Sequence, residues 1–182
     1  MTERQLPAHF QAHTMVNLAT AYRQLGREGE AFATSGKAFQ LASEARRASV
    51  AAAAQGEMAR HHLDRGDLVE AVPLTLASLT TMWEIGSTWD LTPTLELSAM
   101  VLAAGGKPEL AARLVAAAFG LREAVPYPIG ASDELAVTHV LAAIRLALGD
   151  GQFTQAWEAG RSHSLDSSVR EAIAGLATRA DV

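Results

Sequence analysis

The chain has 182 residues, 49% of them hydrophobic and 19% charged, with 15 Lys and Arg against 20 Asp and Glu for a net charge of −5. This is the composition of an ordered, Ala- and Leu-rich helical domain, and its acidity argues against direct nucleic-acid binding, which needs a basic face for the phosphates. There is no cysteine, which excludes disulfides, thiolate chemistry and Cys-type zinc sites; no apolar run approaches the ~18–20 residues needed to span a membrane, and residues 1–10 lack the apolar core of a secretory signal, so the expected location is the cytoplasm.

The first predicted helix runs from about Phe10 to Leu25, with Met15, Leu18, Ala19, Tyr22 and Leu25 on one face, and Gly26 closes it in the left-handed position that ends many helices. A second runs from about Gly29 to Arg46 and places Ala31, Phe32, Phe39 and Ala42 in the core. The third begins near Ala48, turns Val50, Met58, Ala59 and Leu63 inward, and stops at Gly66. Asp67 then caps a fourth helix that reaches Ile85, with a late start or a kink expected at Pro73. Thr92-Pro93 reads as a cap followed by Pro in the first turn, opening a helix through Leu95, Met100 and Leu102 to the Gly105-Gly106 turn. Lys107-Pro108 opens the next, to about Ala124. A Pro-rich loop is expected over 125–132, with Ser132 and Asp133 capping a helix to Leu148. A turn at 149–151, a short helix with Phe153, Ala156 and Trp157, and a last helix capped by Ser164 complete the chain.

Through this succession runs a fixed period. Ala31, Ala71 and Ala111 lie forty residues apart, and so do Gly26, Gly66 and Gly106. A period of that size marks a helical-hairpin solenoid. The expected architecture is therefore all-α: a single domain over 1–182, a right-handed stack of three hairpins (about 10–46, 48–86 and 92–124) closed by a C-terminal helical cap over 132–178.

Each unit carries the tetratricopeptide pattern of a large residue, a small one, then an aromatic three later: Leu18, Ala19, Tyr22; Met58, Ala59, His62; Ser98, Ala99, Leu102. His62 and Ser98 depart from it, and the period exceeds the ~34-residue consensus. The stretch from Gly106-Lys-Pro-Glu-Leu-Ala-Ala-Arg through Leu121-Arg-Glu, Leu146-Ala-Leu-Gly and Phe153-x-x-Ala-Trp157-x-x-Gly-Arg161-x-x-Ser164-Leu165 is similar to the tetratricopeptide-like C-terminal repeat region of bacterial ATPase-type transcriptional regulators of the LuxR and AfsR-like kinds. Only Lys37 and Lys107 are lysines among the basic residues, which with the high Ala and Gly content also points to a bacterial chain. The resemblance implies a non-catalytic sensor and protein-interaction module in signal transduction, without cofactor, whose partner is a protein, a peptide or a small effector. Gly36-Lys37-Ala38 is no phosphate loop: it lies mid-helix, without the earlier Gly or the following Ser/Thr. Self-association through an uncovered stack end is the alternative role.

In the tetratricopeptide register the concave face takes His13, Val16, Thr20, Arg23 and Gln24 from the first unit, Ala53, Gly56, Arg60, Leu63 and Asp64 from the second, and Pro93, Glu96, Met100 and Ala103 from the third. The chief candidates for binding are His13, Thr20, Arg23, Arg60, Glu96 and Met100, with Arg23 and Arg60 suited to hold a ligand carboxylate or to stand as solvated surface arginines. No catalytic set emerges. His9 and His13 share a helix face, but without a third ligand they read as surface histidines rather than a metal site. Gly160-Arg-Ser-His-Ser164 lacks the final Gly of a nucleophile elbow and fits a helix cap. His62 is expected in an aromatic packing slot with His61 facing outward, Trp157 in the core, and Trp83 and Trp89 at the junction of the second and third units, in core packing or as partner contacts.

Overall fold

A computed structural model describes residues 8–124 and 131–178. They form eight helices: α1 (Ala8–Gln24), α2 (Glu28–Glu44), α3 (Ala48–Asp64), α4 (Leu68–Ile85), α5 (Thr88–Ala104), α6 (Pro108–Ala124), α7 (Ala131–Ser162) and α8 (Leu165–Ala177). No strand occurs among the described residues, and none of these helices is long and apolar enough to cross a membrane.

The turns explain the regularity. Residues 26, 46, 66, 86 and 106 all have φ between 52° and 75°, so a left-handed residue recurs every twenty positions. At each turn the amide of the following residue reaches back five positions: Arg27 to the Tyr22 carbonyl (2.8 Å), Arg47 to Ala42 (2.8 Å), Asp67 to His62 (2.9 Å), Ser87 to Met82 (3.2 Å) and Lys107 to Leu102 (2.9 Å). This is the Schellman closure, and it satisfies carbonyls that the helix end leaves without partners. Four of the five left-handed residues are Gly; the second is Arg46, which hides the twenty-residue half-period from inspection of the sequence.

The forty-residue period is a packing period. Ala19, Ala59 and Ala99 are fully buried, as are Ala12 and Ala52 with Thr92, Ala71 and Ala111 with Ala31, and Ala38 and Ala118 with Ser78. Small side chains at the crossings let helix axes approach closely, and the Ser78 hydroxyl is satisfied by donating to the Ala52 carbonyl at 2.8 Å.

From α1 to α7 each helix packs on the next, as the solenoid requires. The odd-numbered helices also pack on one another, α1 on α3, α3 on α5 and α5 on α7, which makes them the inner layer. On the other side α8 turns back and lies against α4, α5 and α6. Val169, Ala172 and Leu176 of α8 are buried there, Gly175 abuts Leu110 and Leu102, and Lys107 Nζ donates to the carbonyls of Gly175 (2.7 Å) and Thr178 (2.6 Å), capping the end of α8. Enclosed by α3, α4, α6, α7 and α8, α5 is buried on nearly every side from Leu91 to Leu102.

Three boundaries differ from expectation. α4 begins at Leu68, with no delay at Pro73. The exposed Pro73 forfeits only the bond to the Val69 carbonyl, on a face open to water, and Asp67 caps the start by accepting from the Glu70 amide at 3.4 Å. α5 begins at Thr88 rather than at Thr92-Pro93, because Ser87 donates to the Asp90 carboxylate at 2.5 Å and starts the helix one turn early. α7 begins at Ala131, so Asp133 lies in its first turn instead of at the cap, and a single non-helical residue, Gly149 (φ 73°, ψ 163°), replaces the expected turn at 149–151. The expected loop at 125–130 lies outside the described residues. Ser164 caps α8 as expected, accepting from the Ser167 amide at 3.2 Å.

Candidate functional site

A groove of about 490 Å³ opens on the inner layer, within the size range of ligand pockets. His13, Thr20, Arg23, Arg60, Glu96 and Met100 all line it, and so do Val16, Gln24, Ala53, Gly56 and Pro93; Leu63, Asp64 and Ala103 do not. The space exists because α3 presents Ala53 and Gly56 where α1 has His13 and Val16 and α5 has Pro93 and Glu96, forty residues before and after.

Charged side chains tie the groove walls together. Arg23 donates through Nε to Glu57 Oε2 at 3.1 Å and through Nη2 to Asp133 Oδ1 at 2.8 Å. Thr20 Oγ1 donates to the other Glu57 oxygen at 2.8 Å, and Gln24 Nε2 lies 3.5 Å from Asp133 Oδ2. This chain of contacts joins α1, α3 and the first turn of α7. Burial alone would lower the Arg23 pKa; Glu57 and Asp133 outweigh it and raise the value above the ordinary one. Two protein carboxylates thus hold Arg23 through Nε and Nη2, so it does not stand as a solvated surface arginine.

Glu96 lies at the groove floor, 5% exposed. Arg122 of α6 grips it from both sides, Nε to Oε1 at 2.8 Å and Nη2 to Oε2 at 2.6 Å. Burial pushes the Glu96 carboxyl above its ordinary pKa, and Arg122 opposes that rise without cancelling it. Arg60 is placed differently. Its side chain is only 12% exposed, yet among the described residues its hydrogen bonding is confined to Nε, 3.3 Å from the outward Asp64. The two terminal nitrogens of a guanidinium carry four of its five donors, and Arg60 is one of the residues lining the groove.

Glu57, Arg122 and Asp133 escape local sequence reasoning. Glu57 sits next to Gly56 and one turn before Arg60, a position that helical spacing alone could have supplied. Arg122 and Asp133 arrive from α6 and α7, 26 residues from Glu96 and 110 from Arg23, and no spacing rule announces them.

The other singled-out residues fall elsewhere. His13 is exposed at the groove rim, and the side chain of His9 lies outside the described residues; no group of three or more His, Asp or Glu able to hold a metal occurs among those described. His62 packs edge-on against Phe32 at 5.3 Å with Nδ1 3.0 Å from Asp67 Oδ2. His61 does not point away as expected: it stacks on the same Phe32 ring at 4.6 Å, because that ring is broad enough to cover both. Trp83 packs on the core, Trp89 lines the groove at 47% exposure, and Trp157 packs between Phe119 and Phe153. No family model, curated protein or solved structure matches the chain.

Proposed function

We propose that this chain is a recognition module without catalytic chemistry, which takes a peptide segment or a small effector into its inner groove and serves as the sensor of a bacterial regulatory system. The observation that carries this reading is Arg60: a guanidinium with a side chain only 12% exposed, lining the groove beside Ala53 and Gly56, whose protein hydrogen bond among the described residues uses Nε alone. The terminal donors are left to water, and a ligand carboxylate could take them bidentately in its place. The periodic stack and the resemblance to regulator repeat regions support the sensor role, and the clasp from Arg23 to Asp133 supplies a way to relay occupancy. An occupant that favours one spacing of α1 and α7 shifts the population between clasped and unclasped forms.

The test is to denature purified protein and identify by mass spectrometry what it releases, beside a Gly56→Leu variant whose side chain fills the groove. A compound released by the wild type and absent from the variant is expected, and its affinity should fall at least about tenfold in Arg60→Gln. Equal recovery from both proteins would refute the reading.

A further inference from the structure

Among the described residues the inner layer ends at α7, whose main helix contacts are with α6 and α5. In a solenoid the next unit covers the far side of such a helix; here α8 turns back onto α4, α5 and α6. The uncovered surface carries apolar residues at helical spacing, with Thr138 and His139 exposed among them. Leu135, Ala142 and Leu146 stand at i, i+7 and i+11, with Leu135 54% and Leu146 88% exposed. Ala143 and Ala147 beside them are exposed and small, so another helix can approach the backbone closely.

Next to this stripe the break at Gly149 leaves a cleft of about 570 Å³ between the two segments of α7. Leu141, Ala142 and Arg145 form one wall, and Phe153, Trp157 and Glu158 the other. The two aromatic rings stack at 5.7 Å, and the Arg145 guanidinium lies 4.6 Å over Phe153 with Asp150 at 3.2 Å. A protruding leucine and an aromatic cleft on one element make a patch that is complementary to itself, which is the requirement for a two-fold interface.

We propose that a second copy of this chain covers α7, the two α7 helices crossing about a two-fold axis so that Leu146 of each enters the cleft of the other. The charges agree with this arrangement. Arg145 on one wall and Glu158 on the other place unlike charges opposite each other when one copy is turned onto its partner. The first helix also exposes leucines, Leu18 at 41% and Leu25 at 70%, but neither lines the inner groove or the α7 cleft. Joining α7 to α1 would moreover be head-to-tail, which makes a ring or a filament of copies rather than a two-fold dimer. The surface shares no residue with the wall that carries Arg60, so the inference stands apart from the groove reading.

Sedimentation velocity and light scattering on the full chain test it. A closed dimer is expected, with Leu146→Glu weakening association at least about tenfold at unchanged helical circular dichroism, and Leu25→Glu leaving it intact. Arg145→Glu alone should weaken the dimer, and Arg145→Glu with Glu158→Arg should restore it. A monomeric wild type at high micromolar concentration, a dimer indifferent to Leu146→Glu, dissociation by Leu25→Glu, or particles that keep growing with concentration would each overturn the proposal.

Discussion

Two glycines in helix interiors face opposite surroundings, and the same substitution at each should move stability in opposite directions. At Gly56 an added Cβ would meet Ser78 Oγ at 3.5 Å and Leu97 Cδ2 at 3.9 Å, which is ordinary contact. Gly56→Ala therefore keeps the helix-propensity gain of about 0.8–1 kcal/mol and should stabilise the protein by roughly that amount. At Gly160 the added Cβ would lie 2.7 Å from Arg113 Cα and 2.8 Å from its carbonyl carbon, with the carbonyl oxygen nearer still. These are main-chain atoms of α6 and cannot swing aside. α6 and α7 must separate, which also loosens Trp157 from Phe119, now 5.3 Å apart between ring centres. Overpacking of this kind costs about 1–3 kcal/mol or more. Backbone contact places Gly160→Ala at the upper end, for a net loss of about 2 kcal/mol after the propensity gain. Urea unfolding followed by circular dichroism should raise the midpoint for Gly56→Ala and lower it by on the order of 1 M for Gly160→Ala, since m is about 1–3 kcal/mol per molar. A Gly160→Ala midpoint equal to wild type, or a Gly56→Ala midpoint below it, would refute the assignment of α6–α7 as a close crossing and of Gly56 as open space.

Arg46 occupies a left-handed turn position at φ 52° that Gly fills at the four equivalent turns. Arg46→Gly should relieve strain of about 1–2 kcal/mol, part of which the unfolded chain's added freedom offsets, leaving a small net gain in a urea titration. Arg122→Gln removes the partner of Glu96, at a cost of about 3–5 kcal/mol near neutral pH. A carboxyl whose folded pKa exceeds its unfolded one holds its proton more tightly when folded, so its contribution is greatest below the unfolded value and is lost as pH rises. Burial already raises Glu96, and losing Arg122 raises it further, so the destabilisation of Arg122→Gln should shrink as pH falls toward 4.5, the ordinary value; a penalty constant with pH would count against a buried charge. Asp133→Asn weakens the Arg23 bridge between α1 and α7, and hydrogen exchange should quicken in the last turn of α1 while the core of α5 keeps its protection.

Fold and groove wall were legible for one reason, and the tie across the groove was not for another. Burial of Ala19, Ala59 and Ala99 repeats every forty residues because each unit crosses its neighbour at the same height, so position in the period gives position in the stack. The inner face follows by helical spacing alone, which is why His13, Arg60 and Met100, from three different units, line one space. What each side chain touches depends on long-range approach. Arg23 has no carboxylate within a turn of it in the sequence, yet the fold brings Glu57 and Asp133 to it, whereas Arg60 keeps the local partner that helical spacing offers, Asp64. The start of α5 was misplaced because Thr92-Pro93 imitates a helix opening, although Ser87 and Asp90 perform that role one turn earlier.

Glu57 and Arg23 set how firmly the groove is held. Glu57 receives Thr20 and Arg23 of α1, and Arg23 reaches Asp133 of α7, so three of the four inner helices are joined through two side chains. The arginine is 13% exposed and Asp133 27%, which puts the Asp133 contact between the weak exposed pair and the costly buried one, at about 1 kcal/mol. Coupling between sites in proteins commonly amounts to about 1–3 kcal/mol. A tie of this strength is one that an occupant with modest preference can make or break, whereas the Arg122–Glu96 pair, with Glu96 buried and both of its oxygens held by Arg122, is costlier to break. Under the proposed sensor role, occupancy would act on the Arg23–Asp133 contact between α1 and α7 before it disturbs the Arg122–Glu96 pair at the groove floor.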